Sequence, residues 1–571
     1  VSKDSLVKGT LILTVAALVA RFLGVFQRIP LIYLIDDKGM GSYGVAFNLY
    51  QNLLVIATAG IPSALSKLIA ETTALGRQRE ADRIYRAAIW FALGAGAVMA
   101  VLLMALAPWY AADVSGDPKA VLATQAIAPA LLVFPLIAVM RGYFQGRQRM
   151  MPNGISQIVE QVFRLVAAVG LAYALLSVGE VQAIAGASFG GVIGGLAALA
   201  VMLYYTWKLR RDDRREAGAR GAASTAAPGA LAVAPGETAA SMASAESAVS
   251  EPFSYKRIYG RLLRLSVPIV IYSMTVTLIY NIDTSSIHSL LEGFFGYEQR
   301  RELSGIMSGR AQSLAGIPII LAIALSQSIV PIISAAHSRG DREQVQAQTS
   351  RVLQLSILSG LPMVLLIAIA ARPIDGFIFG YETSQFGYEH GPHMIALLTV
   401  GAMFQIVMQT SGAVLMGMGR MKPLMASVGI GIAVKLLGNV ALTPWLGVYG
   451  MIVATGLCFV VMTTFNFLVL RQNGKFHVLG RRWLGLAFGV AVIVATGVLL
   501  EQWTHRHMHL FASARWNEGV NAVLVGGWTV ALYPAMLMLF RVFTKEDIAK
   551  LPRPLQKLVG KGQRLLGRAG A

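Results

Sequence analysis

Six basic side chains, Arg21, Arg28, Lys67, Arg164, Arg310 and Lys435, lie inside stretches that are otherwise apolar enough to cross a membrane. A cation at mid-bilayer depth costs roughly 2.5–3.5 kcal/mol on insertion scales and persists only where it faces a protein interior or a wet cavity. A cavity lined by such cations suits an anion. In ARFLGVFQR, Arg21 and Arg28 are two helical turns apart, so both guanidinium groups leave one face of the first helix, roughly 10 Å apart along its axis, with Gly24 thinning the helix between them. Guanidinium forks bind phosphate oxygens in pairs, so two on one face with a third from another helix form a candidate diphosphate site. Arg310, in SGRAQS, is that third cation, flanked by Ser308, Gln312 and Ser313 in a helix with little other reason to be polar. The competing structural readings are that Arg21 or Arg28 reaches an interface or pairs with a carboxylate, and that Arg310 anchors a helix end.

The remaining intramembrane charges pair among themselves. Glu160 and Arg164 are four residues apart on one helix and neutralise each other. Asp283, in YNIDTSS, is the deepest isolated carboxylate, and Lys435 with Asn439 forms a polar pair one turn apart on a later helix. A salt bridge from Asp283 to Lys435 is the preferred reading, and a proton or sodium site at Asp283 and Asn439 is the functional alternative. Lys67 and Glu71 share a face near a helix end and read as a solvated pair.

Other chemistries find no support. There is no Gly-x-x-x-x-Gly-Lys-Ser/Thr loop, and His505, His507 and His509 alternate without acidic or cysteine companions, so neither nucleotide hydrolysis nor a zinc site is expected. Cys458 is the single cysteine and lies in an apolar run, which leaves no disulfide framework. No metal and no cofactor are called for. Close-spaced glycines such as Gly190 and Gly194 read as helix packing.

The elements that would position these residues are membrane helices. Hydrophobic residues make up 55% of the 571-residue chain and charged residues 14%, against about 25% charged in soluble domains. The fold class expected is an all-α integral membrane protein with about 14 transmembrane helices: 8–34, 42–70, 87–108, 121–140, 155–177, 181–207, 262–289, 303–336, 352–371, 391–418, 423–443, 447–470, 483–500 and 519–540. The first is too long for a cleavable signal peptide and carries two arginines. The net charge of +20 follows from positive-inside asymmetry rather than from nucleic-acid binding, since with the N-terminus inside only Lys38, Lys119, Arg300, Arg301, Arg372, Arg506 and Arg515 fall outside. Residues 542–571 form a basic tail suited to anionic lipid headgroups.

A run of Ala, Gly, Ser, Glu and Pro over 209–256 holds almost no large apolar residue and reads as a disordered cytoplasmic linker. It separates an N-terminal six-helix lobe (1–208) from a C-terminal six-helix lobe (257–471), with two extra helices in 472–541. Residues 141–152 (RGYFQGRQRMMP) echo 412–423 (GAVLMGMGRMKP), so that Pro152 matches Pro423 and, at the same offset, Arg164 matches Lys435. Six spans per half make the lobes parallel repeats, a plan common among transporters that rock about a central site.

Three stretches, KGTLILTVAALVARFLGVFQRIPL, SYGVAFNLYQNLLVIATAGIPSALSKLIAE and RGYFQGRQRMMPNGISQIVEQVFR, resemble the polysaccharide-biosynthesis branch of the MOP superfamily. That branch holds the MurJ-type lipid II flippases of Gram-positive bacteria and stage V sporulation protein B. The resemblance covers nearly the whole chain. It implies a MATE-like pair of six-helix lobes, a central cationic cavity for a diphosphate-sugar headgroup, and a groove at the last two helices for a polyprenyl tail. Arg21 matches the first-helix arginine of the family and Arg310 its arginine in span eight. A second first-helix arginine of the family falls at Gln27, with Arg28 one place on and rotated by about 100°. An arginine that some members carry in span two has no counterpart, because Asn52-Leu53-Leu54 is followed by Val55 and Ile56.

The function expected is therefore movement of a lipid-linked oligosaccharide, lipid II first, from the inner to the outer leaflet of a bacterial cell membrane by alternating access, without enzymatic chemistry. The substrate-binding candidates are Arg21, Arg28, Arg310, Gln27, Gln312 and Ser313. The alternatives are another lipid-linked glycan (a teichoic acid, capsule or spore-cortex precursor), a MATE-like exporter, or a membrane glycan polymerase. Exporters of cationic drugs need acidic cavities, and a polymerase needs carboxylates in a sizeable outer loop. A monomer is expected, with both termini cytoplasmic, membrane lipids around it and cell-wall synthases as candidate partners.

Overall fold

The structure is a computed structural model, and it describes residues 6–58, 61–74, 77–225, 255–380, 385–472, 474, 476, 478–480, 482–540 and 542. Among them every regular element is helical, as lipid demands of a chain whose backbone groups can find no water. Some side chains inside helices lie outside the described set, and those of Arg21, Lys67 and Glu71 are among them.

In chain order the helices are α1 (Leu6–Thr58), α2 (Ile61–Ala74), α3 (Gln78–Pro108), α4 (Ala120–Ile127), α5 (Ala130–Gly146), α6 (Met151–Leu176), α7 (Glu180–Thr225), α8 (Tyr255–Leu290), α9 (Tyr297–Gly305), α10 (Gln312–Ser338), α11 (Arg342–Ile369), α12 (Ala371–Ile378), α13 (Gln385–Gly417), α14 (Met421–Leu446), α15 (Val448–Gln472), α16 (Arg482–His507) and α17 (Ala514–Leu539). π-helical turns at Trp109–Val114 and Ile306–Ala311 follow α3 and α9. Eleven helices of the described residues are long and apolar enough to cross a membrane. That count does not establish fourteen. The first candidate, Val15–Thr58, runs 44 residues, enough for two crossings of about 20 residues each. Inside it Asp36 takes φ 55° and ψ 178°, a left-handed break that divides the helix where the sequence predicts a turn between spans. Helices α8 and α10, at the predicted spans 262–289 and 303–336, are not among the eleven.

The chain divides into two compact units. One comprises Val1–Gln27, Ala46–Tyr110 and Ala120–Thr277, and the other Arg28–Val45, Ala111–Lys119 and Leu278–Ala571. Their boundary falls inside α8 rather than in the stretch 209–256. Helix α7 runs on to Thr225, so the first part of that stretch is helical: its mixed charges (RRDDRREAGAR) place opposite signs within a turn of each other, and Arg147 grips Asp213 with two bonds of 2.7 and 3.0 Å. Residues 226–254 lie outside the described ones.

The first unit packs around Tyr50, Leu65, Ile69, Ala88, Leu131 and Phe144, all buried. Within it a Cβ on Gly190 would lie 2.5 Å from the backbone of Ala168, and one on Gly194 2.7 Å from the carbonyl of Glu160, so these glycines let α6 and α7 approach backbone to backbone. The second unit uses the same device: a Cβ on Gly305 would lie 1.7 Å from the Asp37 carbonyl. This contact presses the segment after the Asp36 break against the π-helical turn that carries Arg310.

Candidate functional site

Arg28, Ser308 and Ser313 come together in the second unit. The Arg28 Nη1 donates to the carbonyl of Ser308 and, at 2.7 Å, to the hydroxyl of Ser313. Gln312 lies beside Ser313, and its Nε2 is buried with no hydrogen-bond partner among the described residues. Arg310 precedes both in a π-helical turn, a distortion that recurs at functional positions because it re-aims a side chain within a helix. Gln27 is buried, while Arg28 is only partly so. The sequence reading that put Arg28 in the place of a cation at Gln27 thus meets a guanidinium engaged with the helix carrying Arg310. The side chain of Arg21 lies outside the described residues.

Arg310 does not face open space in this conformation. It is fully buried, and its Nε donates to Asp37 Oδ1 at 2.8 Å while Nη2 pairs with Asp37 Oδ2, the two-pronged geometry that also recognises phosphate. Nη1 lies 3.4 Å from both carboxylate oxygens of Asp375 on α12, and the Phe379 ring centroid is 5.4 Å from the guanidinium carbon. A cation removed from water needs a counter-charge, and two carboxylates supply it. Burial pushes the Asp375 carboxyl up to about 7, opposed by Arg310 and reinforced by the charge of Asp37. Neither aspartate was a candidate in the sequence. The available signal was the arginine itself, since a fully intramembrane Arg calls for acids at the adjoining helix ends, and IDDKG and RPIDG are the acid-bearing segments there.

A second buried pair involves Arg301, which the sequence placed among the cations on the outer side of the membrane. Arg301 is 3.6 Å from Asp117 and donates to Ser42 at 3.0 Å. The Ser42 hydroxyl donates to Asp117 at 2.5 Å and the Tyr297 hydroxyl at 3.0 Å. Burial and the adjacent Asp117 charge push the Tyr297 phenol upward. Lys38 and Lys119 both reach Glu298 at 3.7 Å. The segments 28–45 and 111–119 are bound in this way to the helices that follow Leu278.

The remaining intramembrane charges whose side chains are described are paired. Glu160 meets Arg164 at 3.2 Å and also Arg141 at 3.0 Å, so one carboxylate serves two cations, while the Arg164 guanidinium covers the Phe134 ring at 5.4 Å. Lys435 is ion-paired with Asp283, and Asn439 contacts both. Between α16 and α17 a groove of about 580 Å³ is lined by Thr496, Leu499, Trp503, Arg506, His507 and Trp528. Trp503 stacks on His507, and the Trp528 indole donates to Thr496 at 3.2 Å. It combines an apolar floor with a guanidinium, the pairing that an amphiphile presents. No group of three or more His, Cys, Asp and Glu side chains able to hold a metal occurs among the described residues.

Long apolar helices that enclose buried charge clusters define a multi-pass, all-helical membrane protein. Residues 6–337 match the model of the family described as polysaccharide biosynthesis protein, and residues 310–486 match the one described as lipid II flippase MurJ. The chain belongs to the polysaccharide biosynthesis protein family. It is similar to the lipid II flippase MurJ of Bacillus subtilis (strain 168), at 25% identity over 88% of this chain and 89% of that protein. It is equally similar to stage V sporulation protein B of the same bacterium, at 25% over 96% of this chain and 98% of that protein. A solved lipid II flippase MurJ in an inward closed conformation superposes with a TM-score of 0.63 and 13% identity, covering 93% of this chain and 99% of that one; at that identity the likeness shows the fold.

Proposed function

We propose that this protein is a flippase for a polyprenyl-diphosphate-linked cell-wall precursor, lipid II, carrying it from the inner to the outer leaflet of a bacterial plasma membrane by alternating access. The observation that carries this reading is the state of the arginines. Arg310 is held by a carboxylate in the geometry a phosphate would take, and Arg28 is bonded to Ser313, three residues along the same polypeptide. When the cavity opens, a diphosphate replaces Asp37 as the partner of Arg310, and Arg28, Gln312 and Ser313 supply further donors, with Arg21 joining from the first helix. A buried cation already bonded to a carboxylate exchanges one anion for another without standing bare in the membrane. The groove between α16 and α17 accepts the polyprenyl tail.

Outward movement of the anionic headgroup is favoured by the membrane potential by about 2.3 kcal/mol per charge per 100 mV. The protein then needs no nucleotide, and its termini lie in the cytoplasm. A second reading, movement of a different lipid-linked glycan, is favoured by the equal identity to stage V sporulation protein B. The test is complementation in cells depleted of their lipid II flippase. The wild type restores growth, whereas Arg28→Ala or Arg21→Ala, inserted at normal levels, fails. Arg→Lys at either position restores growth only partly, because an ammonium lacks the two-pronged fork. Growth without the protein's lipid II transport, in a strain where another glycan accumulates, would favour the second reading.

A further inference from the structure

Lys435 sits midway along α14, fully buried, and four oxygens from three helices surround its ammonium. Asp283 of α8 supplies an ion-paired carboxylate. Asn439 Oδ1, one turn further along α14, lies at 2.9 Å, and from α15 come the carbonyl of Met451 at 2.8 Å and the hydroxyl of Thr455 at 2.7 Å. The shell also binds itself together: Asn439 Nδ2 donates to Asp283 Oδ1 at 3.0 Å, and the Thr455 hydroxyl donates to Asp283 Oδ2 at 2.8 Å. The bond from the Asn439 amide nitrogen turns its Oδ1 toward the ammonium, and the Thr455 hydroxyl, which also lies 3.2 Å from the Met451 carbonyl, presents a lone pair there. Only a cation is accommodated at the centre.

An ammonium has three N–H groups, yet four oxygens face it, so one contact is charge attraction without a hydrogen bond. A simple salt bridge needs the carboxylate alone. One carboxylate with an amide oxygen, a backbone carbonyl and a hydroxyl, and no sulfur or imidazole, is the donor set by which hard cations are held, and the single negative charge matches a single positive one. We propose that the Lys435 ammonium is a tethered resident cation in an oxygen site of the kind that takes a monovalent metal ion, and that removing the amine opens that site to Na⁺ or K⁺. The lysine does permanently what a dissolved ion would do reversibly. Because its charge cannot be exchanged with either side of the membrane, sodium and potassium gradients exert no pull at this point of the protein.

The test uses the purified full chain in detergent, melted in the chlorides of choline, sodium, potassium and ethylammonium at equal ionic strength. The wild type is expected to melt at one temperature in all four. Lys435→Ala should melt lower in choline and recover several degrees, saturably, in sodium, potassium or ethylammonium, because a ligand that binds only the folded state stabilises it by mass action. Lys435→Ala combined with Asp283→Asn should show no cation-specific recovery. Lys435→Ser serves as a second small replacement if the alanine variant accumulates poorly. Equal melting of both single variants in all four salts overturns the proposal, and so does saturable binding of radioactive sodium by the wild type that Asp283→Asn abolishes. None of these readouts involves transport, so failure here leaves the flippase reading standing, and failure of that reading leaves this result unaffected.

Discussion

Raising the pH from about 5.5 to about 8.5 should lower the melting temperature of this protein relative to that of its Asp375→Asn variant. Asp375 is fully buried beside Arg310 and the backbone at Gly391, within reach of the charge of Asp37. Its carboxyl is pushed up from 3.8 to about 7 by burial, with Arg310 opposing the shift and Asp37 adding to it. The folded protein therefore holds this proton more tightly than the unfolded chain does. The corresponding stability is fully present below the unfolded value, near pH 4, and is lost as pH rises through about 7. Three pKa units correspond to about 4 kcal/mol at the limit, of which about half, about 2 kcal/mol, is lost above pH 5.5 and so falls inside the measured range, a fall of a few degrees in a melt. The assay is thermal unfolding in detergent followed by tryptophan fluorescence, with wild type and Asp375→Asn measured side by side so that titration elsewhere cancels in the difference. Asparagine keeps an oxygen for Arg310 and cannot ionise. A midpoint difference between wild type and Asp375→Asn that stays constant over this range would refute the placement of a second, protonatable acid against Arg310.

Arg310→Ala should destabilise by roughly 3–5 kcal/mol because it strands the buried Asp37 carboxylate, and adding Asp37→Asn should recover much of the loss in the same melt. Gly305→Ala should prevent accumulation of folded protein, since the new Cβ would lie 1.7 Å from the Asp37 carbonyl; normal yield and melting would contradict the close approach of those segments. Glu160→Gln leaves Arg141 and Arg164 without their shared carboxylate and should lower the melting temperature, with Arg164→Gln on the same background restoring part of it. Deleting residues 226–250 should leave complementation intact, because the cut lies beyond the helical end at Thr225; loss of growth at normal expression would assign that stretch a docking or regulatory part.

Charge in an apolar run was the most legible feature of the sequence, for a physical reason. A buried ion must have a partner, so Glu160 with Arg164 and Asp283 with Lys435 could be matched before any coordinates, and the helical spacing of Asn439 placed it beside Lys435. The partners of Arg310 were not legible. Asp37 and Asp375 sit in segments that read as loop ends, and nothing in a linear sequence reports that the left-handed break at Asp36 turns Asp37 back onto the π-helical turn. The partners of Arg301 were not legible either, since a position outside the apolar runs does not report that Asp117 and Ser42 enclose it. The second partner of Glu160, Arg141, was likewise not legible, because it lies on a different helix. Helical periodicity conveys faces and spacing within one segment, while these contacts join segments far apart in the chain.

The most direct measurement of the central claim is translocation of fluorescent lipid II by the purified protein in liposomes carrying an inside-negative membrane potential on the side that corresponds to the cytoplasm. The wild type is predicted to move lipid II to the opposite leaflet faster than protein-free vesicles do, to slow when the potential is collapsed, and to lose most of its rate with Arg28→Ala at equal protein content. Translocation no faster than in protein-free vesicles, with folded protein and the potential verified, would contradict it.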